Sequence, residues 1–276
     1  MAESNSNLYE NVIVELEEDI GIITLNRPMQ SNSINRQLTS ELWDALDRLE
    51  HNPNIKVVIL TGSNQTFSAG ADIKEMYEKI SPFDTEPSEM WRAHLESLLK
   101  VSLKIWDLKK PVIAAVDGYA LGGAADWVLS CDMAIASDTA KIGEPEIKFG
   151  AAPPTLMMPW IVGLRKAKEL LFTGDIIDAS EAYRIGIFNK VVPQSELLSE
   201  AIILAKKVTK VSPSALKITK ATINKTFEMM NLKQSLEYNL EAGIAMFFLR
   251  KEEDFMEINR IIKEEGLKAF LKSMNS

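Results

Sequence analysis

Two short β-branched runs, Val12-Ile-Val-Glu-Leu16 and Ile20-Gly-Ile-Ile-Thr-Leu25, flank the polar tripeptide Glu17-Glu-Asp19. That pattern predicts a β-hairpin. The period then changes. Between Gln37 and Glu50, Leu38, Leu42, Ala45, Leu46 and Leu49 recur at helical spacing, and His51-Asn-Pro-Asn54 stops the pattern before a strand at Lys56-Val-Val-Ile-Leu60. The sequence repeats the exchange with a buried strand at Pro111-Val-Ile-Ala-Ala-Val116, a helix from about Gly122 to Ser130 and a strand at Met133-Ala-Ile-Ala136. From Leu164 onward the pattern is almost wholly helical, as in Glu196 to Lys210 and Leu232 to Leu249, with Pro193 and Pro213 as breaks. Strand, helix, strand in this order predicts an α/β layer built on right-handed crossovers. Ser81-Pro-Phe-Asp-Thr-Glu-Pro87 is a turn-rich break and a candidate flap. No internal repeat or low-complexity tract interrupts the pattern.

Two strand-to-helix joints stand out: Phe67-Ser-Ala-Gly-Ala-Asp-Ile-Lys74 and Gly118-Tyr-Ala-Leu-Gly-Gly-Ala-Ala-Asp126. Gly70 and the Gly122-Gly123 pair allow tight turns and let a ligand approach the main chain. Either joint alone reads first as a packing turn. Together they offer two sets of backbone N–H groups, with Asp126 three residues after Gly123 and Glu146 twenty residues further on. Donors converging beside a carboxylate are what an enzyme needs to stabilise an enolate-like oxygen while a proton moves on the neighbouring carbon. Gly123 and Asp126 share one face of a first helical turn, so they can address one substrate.

Composition narrows the partners. A chain of 276 residues, 46% of them hydrophobic, suffices for one large core. A net charge of −8 argues against nucleic acid and anionic membranes, although a small anion needs only a few local cations. Cys131 is the single cysteine, so no intramolecular disulfide and no cysteine metal site can form, and a reducing compartment suits it. The start is polar and acidic, and no run approaches a membrane span of about 18 apolar residues. The expectation is a soluble cytoplasmic protein. His51 and His94 are isolated and read as surface or partly buried residues. Met157, Met158 and Trp160 are candidates to line an apolar pocket, though such residues near a site are more often simply core, and Trp127 reads as packing against the next layer. Phe247, Phe248 and Phe270 belong to C-terminal helical segments suited to subunit or ligand contact, and Lys251 to Asp254 reads as a solvated helix start.

The chain resembles the crotonase, or enoyl-CoA hydratase/isomerase, superfamily over roughly residues 10 to 272. The resemblance rests on Asn26-Arg-Pro28, Phe67 to Met76, Pro111 to Gly123, Pro145-Glu146, Leu171-Phe-Thr-Gly174 and Ala182 to Pro193, in order. It implies an α/β fold with a spiral of strand-strand-helix repeats over 10–195, a flexible N-terminus over 1–9 and a C-terminal helical oligomerisation region over 196–276. It also implies a homotrimer or a hexamer made from two trimers. The expected substrate is an acyl-CoA thioester, with no metal and no cofactor apart from the coenzyme A of the substrate itself.

Carried over residue by residue, the amides of Ala71 and Gly123 match the oxyanion hole, and Asp126 and Glu146 match the catalytic carboxylates. Backbone at Ala69 matches the adenine contact, while Asp72, Ile73 and Lys74 match the wall along the nucleotide. Lys74 is also a candidate phosphate contact or simply an exposed helix-start lysine. The implied activity is hydration of an α,β-unsaturated enoyl-CoA, with double-bond isomerisation as the alternative and C–C cleavage, thioester hydrolysis or acyl-CoA binding without turnover further away.

Three departures individualise the chain. Hydratases of this family carry glutamate where this sequence has Asp126, and a reach shorter by one methylene displaces a proton carrier by about an ångström. Aspartate here resembles the dienoyl-CoA isomerase branch, whose additional carboxylate beyond Glu146 finds no match. The stretch Gly150 to Met158 is about three residues shorter and more apolar than the usual glycine-rich segment. Glu144, two positions before Glu146, is a possible auxiliary: on an extended segment the two would share a face and raise one another's pKa. The favoured expectation for Glu144 is nevertheless solvent or an ion pair.

Overall fold

The computed structural model describes residues 8–73, 87–249 and 260. Lys74 and Met76, segment 81–86, the run 251–254 and Phe270 therefore lie outside the described residues, as do the side chains of Phe247 and Phe248. The hairpin forms as expected, β1 (Val12–Glu17) pairing antiparallel with β2 (Ile20–Leu25). β3 (Val57–Gly62), β4 (Val112–Val116), β6 (Met133–Ser137) and β9 (Lys190–Val192) then add in parallel, giving a six-stranded sheet in the order β1-β2-β3-β4-β6-β9. A second sheet joins three very short strands, β5 (Tyr119–Leu121), β7 (Lys141–Gly143) and β8 (Ile177–Asp178), in the order β5-β7-β8.

The shortest strands depart from the expectation. Gly118 to Leu121 was expected as loop and the chain after Leu164 as helix, whereas β5, β8 and β9 are strands. At two or three residues, none is long enough to show a period. Their pairing explains the spiral: β4 and β5 go one to each sheet before a helix, and β6 and β7 repeat the division before a 3-10 turn. Each turn of the spiral thus ends at a joint where the two sheets meet.

Helices occupy both faces of the large sheet. Helix α1 (Arg36–His51) starts where the Asn35 side chain accepts from the Leu38 amide at 2.8 Å, and it buries Leu38, Leu42, Ala45, Leu46 and Leu49, as their spacing predicts. Helices α2 (Pro87–Asp107) and α3 (Gly123–Ser130) pack on the same side, into one core with Val58, Leu60, Ala114 and Trp127. The alternate residues Val57, Ile59, Ile113 and Ala115 face a second core closed by Leu197, Ala201 and Ala205 of α7 (Leu197–Val208). A parallel sheet covered on both faces reads as the continuous apolar runs seen in β3 and β4. Between α3 and α7 run α4 (Met158–Val162), α5 (Leu164–Thr173) and α6 (Ala179–Arg184). Beyond α7 lie α8 (Pro213–Met229) and α9 (Leu232–Leu249), the latter packed on α2.

Candidate active site

The two glycine joints are locked in mutual register by the backbone. Phe67 N donates to Asp117 O at 2.7 Å, Ser68 N to Tyr119 O at 2.8 Å, and Leu121 N back to Ser68 O at 3.1 Å. The strand-like bridge leaves no space between the chains: Gly70 has φ +87°, and a Cβ there would sit 2.7 Å from Leu121 O. On the other side, Ile34 N donates to Gly70 O at 2.7 Å and Asp72 N to Ile34 O at 2.9 Å. A parallel bridge of this kind turns the intervening residue's own amide to the opposite edge. That residue is Ala71. Gly123 opens α3, so its N–H belongs to the helix's unpaired first turn and lies at the positive end of its dipole. Neither amide has an acceptor among the described residues. The two predicted oxyanion donors are therefore both available, on joints that are stitched together.

Asp117 sets the turn before β5. Its carboxylate accepts from Ser137 Oγ at 2.7 Å, Thr139 Oγ1 at 3.0 Å, Gln194 Nε2 at 2.9 Å and the Gly118 amide at 2.8 Å. Gly122 follows, its N–H donating to Gly143 O at 2.9 Å and its φ of +58° lying in the left-handed region. A side chain at Gly122 would be strained and would collide with Glu146 Oε1. The missing Cβ is where the Glu146 carboxyl lies.

Three carboxyls converge behind these donors. Asp126, in the first turn of α3, is fully buried, and its oxygens accept from Thr155 N at 2.9 Å and Met157 N at 3.3 Å. It does not cap its own helix. The residue between those amides, Leu156, has φ +58°, an uncommon conformation for a branched side chain that presents both N–H groups to one carboxylate. Burial lifts the Asp126 pKa to about 6, with the hydrogen bonds from Thr155 and Met157 opposing. Glu146 stands in the first turn of a 3-10 helix, Pro145–Phe149. Its Oε2 is buried with no partner among the described residues, and burial, assisted by the charge of Asp126, raises its pKa to about 8.

Glu144 departs from expectation. It neither reaches solvent nor forms an ion pair: it is 2% exposed, and both carboxyl oxygens are buried without a partner among the described residues. Nor do Glu144 and Glu146 share the face of an extended strand, because the chain turns into the 3-10 helix between them. Burial is the main cause of a pKa well above the ordinary carboxyl range, and Asp126 and then Glu146 add to it.

The expected coenzyme A wall is only partly described. Ala69 is exposed, its amide donating to Ser31 O at 3.0 Å, and Ile73 is half-buried. The Asp72 carboxylate turns inward to Arg27 at 2.8 Å and Ser33 Oγ at 3.1 Å, which ties this wall to the Asn26-Arg-Pro28 block. Arg27 holds the Asp72 carboxylate in place; an isolated arginine ahead of a proline carries no periodic signal in the sequence. Leu98 of α2 was also missed, and it packs 3.0 Å from where a Cβ on Gly123 would stand. Met157 and Met158 are buried members of the main core, and Trp160 packs edge-on against Phe227 at 6.5 Å. His51 is exposed. His94 lies against Trp91 at 5.7 Å, with burial lowering its pKa to about 4. It is thus neutral at pH 7.

Comparison with known proteins identifies the family. A family profile described as enoyl-CoA hydratase/isomerase matches residues 15–272. The chain belongs to the enoyl-CoA hydratase/isomerase family. A Mycobacterium tuberculosis relative named probable enoyl-CoA hydratase is 39% identical over 235 residues, which are 83% of this chain and 87% of the relative. The crotonyl-CoA hydratase of Syntrophomonas wolfei is 38% identical over 220 residues, 78% of this chain and 82% of its own. The crystal structure of an enoyl-CoA hydratase/isomerase from Xanthobacter autotrophicus Py2 superposes with a TM-score of 0.90 at 33% identity, covering 96% of this chain and 97% of that one. The fold is accordingly the crotonase fold. For an enoyl-CoA hydratase/isomerase, the arrangement supplies two unpaired amides for an oxygen gaining charge, and beside them carboxyls whose proton affinities differ.

Proposed function

We propose that this protein catalyses the reversible addition of water to an α,β-unsaturated acyl-CoA, giving the β-hydroxyacyl-CoA. The observation that carries this reading is the pair of buried carboxyls with pKa values near 6 and 8 beside two unpaired amides. Groups pushed apart in this way divide the labour. Asp126, with the lower pKa, is the base near pH 7, whereas Glu146, with the higher one, is the acid. Water gives a proton to Asp126 as its oxygen bonds to the β-carbon; the α,β π electrons shift, and the α-carbon takes the Glu146 proton. Between those events the thioester oxygen bears enolate charge, held by the N–H groups of Ala71 and Gly123. Donors of this type contribute about 10²–10³ in rate each.

In the same reading the backbone at Ala69 meets the adenine, Asp72 to Lys74 line the nucleotide, 10–195 forms the catalytic core and 196–276 makes the subunit contacts. Exposed apolar residues on α5, α8 and α9, among them Phe172, Ile218, Met229 and Tyr238, support assembly. Among the described residues no helix is long and apolar enough to cross a membrane. A cytoplasmic enzyme suits the acidic, single-cysteine composition. The test is incubation with a panel of linear, branched and cyclic enoyl-CoA thioesters, followed by loss of conjugated absorbance and by mass. A product heavier by one water is expected. Products isomeric with their substrates would turn the reading to isomerisation, and a panel bound but untouched would leave a binding protein.

A further inference from the structure

Asp126 and Glu146 account for both proton transfers, and Glu144 is left over. The residue is only 2% exposed, and both carboxyl oxygens are buried without a partner among the described residues. Buried polar groups are nearly always hydrogen-bonded, so this one calls for a ligand. Its position is informative. Glu144 follows Gly143, whose carbonyl binds the Gly122 amide, and Gly122 is the residue whose missing side chain admits Glu146. Asp126 and Glu146 are also the two neighbouring acids that act on its carboxyl. Meanwhile Asp126 is one methylene shorter than a glutamate, and both its oxygens are drawn back toward Thr155 and Met157. A water held by Asp126 alone would be loosely placed.

We propose that Glu144 is a further catalytic residue that binds the reacting oxygen, as water in the forward direction and as the β-hydroxyl in reverse. The water donates the hydrogen it loses to Asp126 and the hydrogen it keeps to a Glu144 oxygen, which leaves a lone pair directed at the β-carbon. Glu144 itself neither gains nor loses a proton. Burial beside two other acids raises its pKa above the ordinary carboxyl range, and its part here is to accept a hydrogen bond, while the transferred proton goes to Asp126.

This inference rests on the hydration reading, and the test separates the two by measuring binding rather than turnover. Calorimetry would compare 3-hydroxybutyryl-CoA, which carries the β-oxygen, with butyryl-CoA, which lacks it. The parent should prefer the hydroxy thioester, and Glu144→Met should reduce that preference about 5-fold or more, the size of one hydrogen bond. Glu144→Gln, neutral and still an acceptor, should retain it. If the Met variant does not fold, Glu144→Ala carries the same comparison. An unchanged preference in the Met or Ala variant overturns the role of Glu144 while leaving hydration intact. A parent that binds neither thioester overturns the acyl-CoA reading and this proposal together.

Discussion

Asp126 is where the magnitudes decide most. Lifting its carboxyl from an ordinary 3.8 to about 6 corresponds to an ionisation penalty on the order of 3 kcal/mol. Asp126→Asn removes that penalty but turns an amide NH2 toward either Thr155 N or Met157 N, an unsatisfied contact costing about 1–3 kcal/mol. The two effects nearly cancel, so thermal unfolding should move little while hydration falls by at least ~10²-fold, as expected for loss of a general base. Full activity in the Asn variant would remove Asp126 from the mechanism. Asp126→Glu should retain activity or shift preference toward short linear substrates. The same pair predicts the pH dependence of hydration. Rate should climb as Asp126 ionises near pH 6 and fall as Glu146 loses its proton near pH 8. Such a profile belongs to the coupled pair, and a flat one over pH 5 to about 9 would contradict the division of acid and base.

At the scale of elements, the site depends on joints rather than on helices or strands. Gly122→Ala tests this directly, because the new methyl would occupy the place of Glu146 Oε1 on a left-handed backbone. Turnover should drop by at least ~10-fold with a smaller effect on thioester affinity, since a displacement of about an ångström at a reacting group is costly; parent-like turnover would show that Glu146 works from elsewhere. The sequence made much of this legible. α1 could be read from Leu38, Leu42 and Leu49, and the glycines marked both joints, since periodicity and turn chemistry are local properties. β5, β7 and the 3-10 turn at Pro145 were not legible, because three to five residues hold no period. Glu144 was misread for the same reason: its burial follows from the Gly122–Gly143 contact and the turn after it, which join residues far apart in the chain. The tie between Asp126 and the loop at Thr155, 29 residues away, was equally invisible.

For the whole molecule, the exposed apolar residues on α5, α8 and α9 predict assembly. Light scattering at micromolar concentration should give a trimer or hexamer, against which a fully active stable monomer would count. The buried acids also leave a signature on stability. The folded-state pKa of Glu146, about 8 against an ordinary 4.5, means that its contribution is complete at low pH and is lost as pH rises through 8. The melting temperature should therefore decline from about pH 4.5 to about 8 and level off above that, and decline less in Glu146→Gln; equal slopes in the two proteins would place Glu146 in water. The central claim is that Glu146 delivers the α-proton during hydration. The most direct measurement is kcat for water addition to the best enoyl-CoA of the panel, in the parent and in Glu146→Gln, with folding and binding of the saturated thioester checked in both. A fall of at least ~10²-fold in kcat, with fold and binding preserved, is the predicted result. Near-parent turnover in the Gln variant would contradict it.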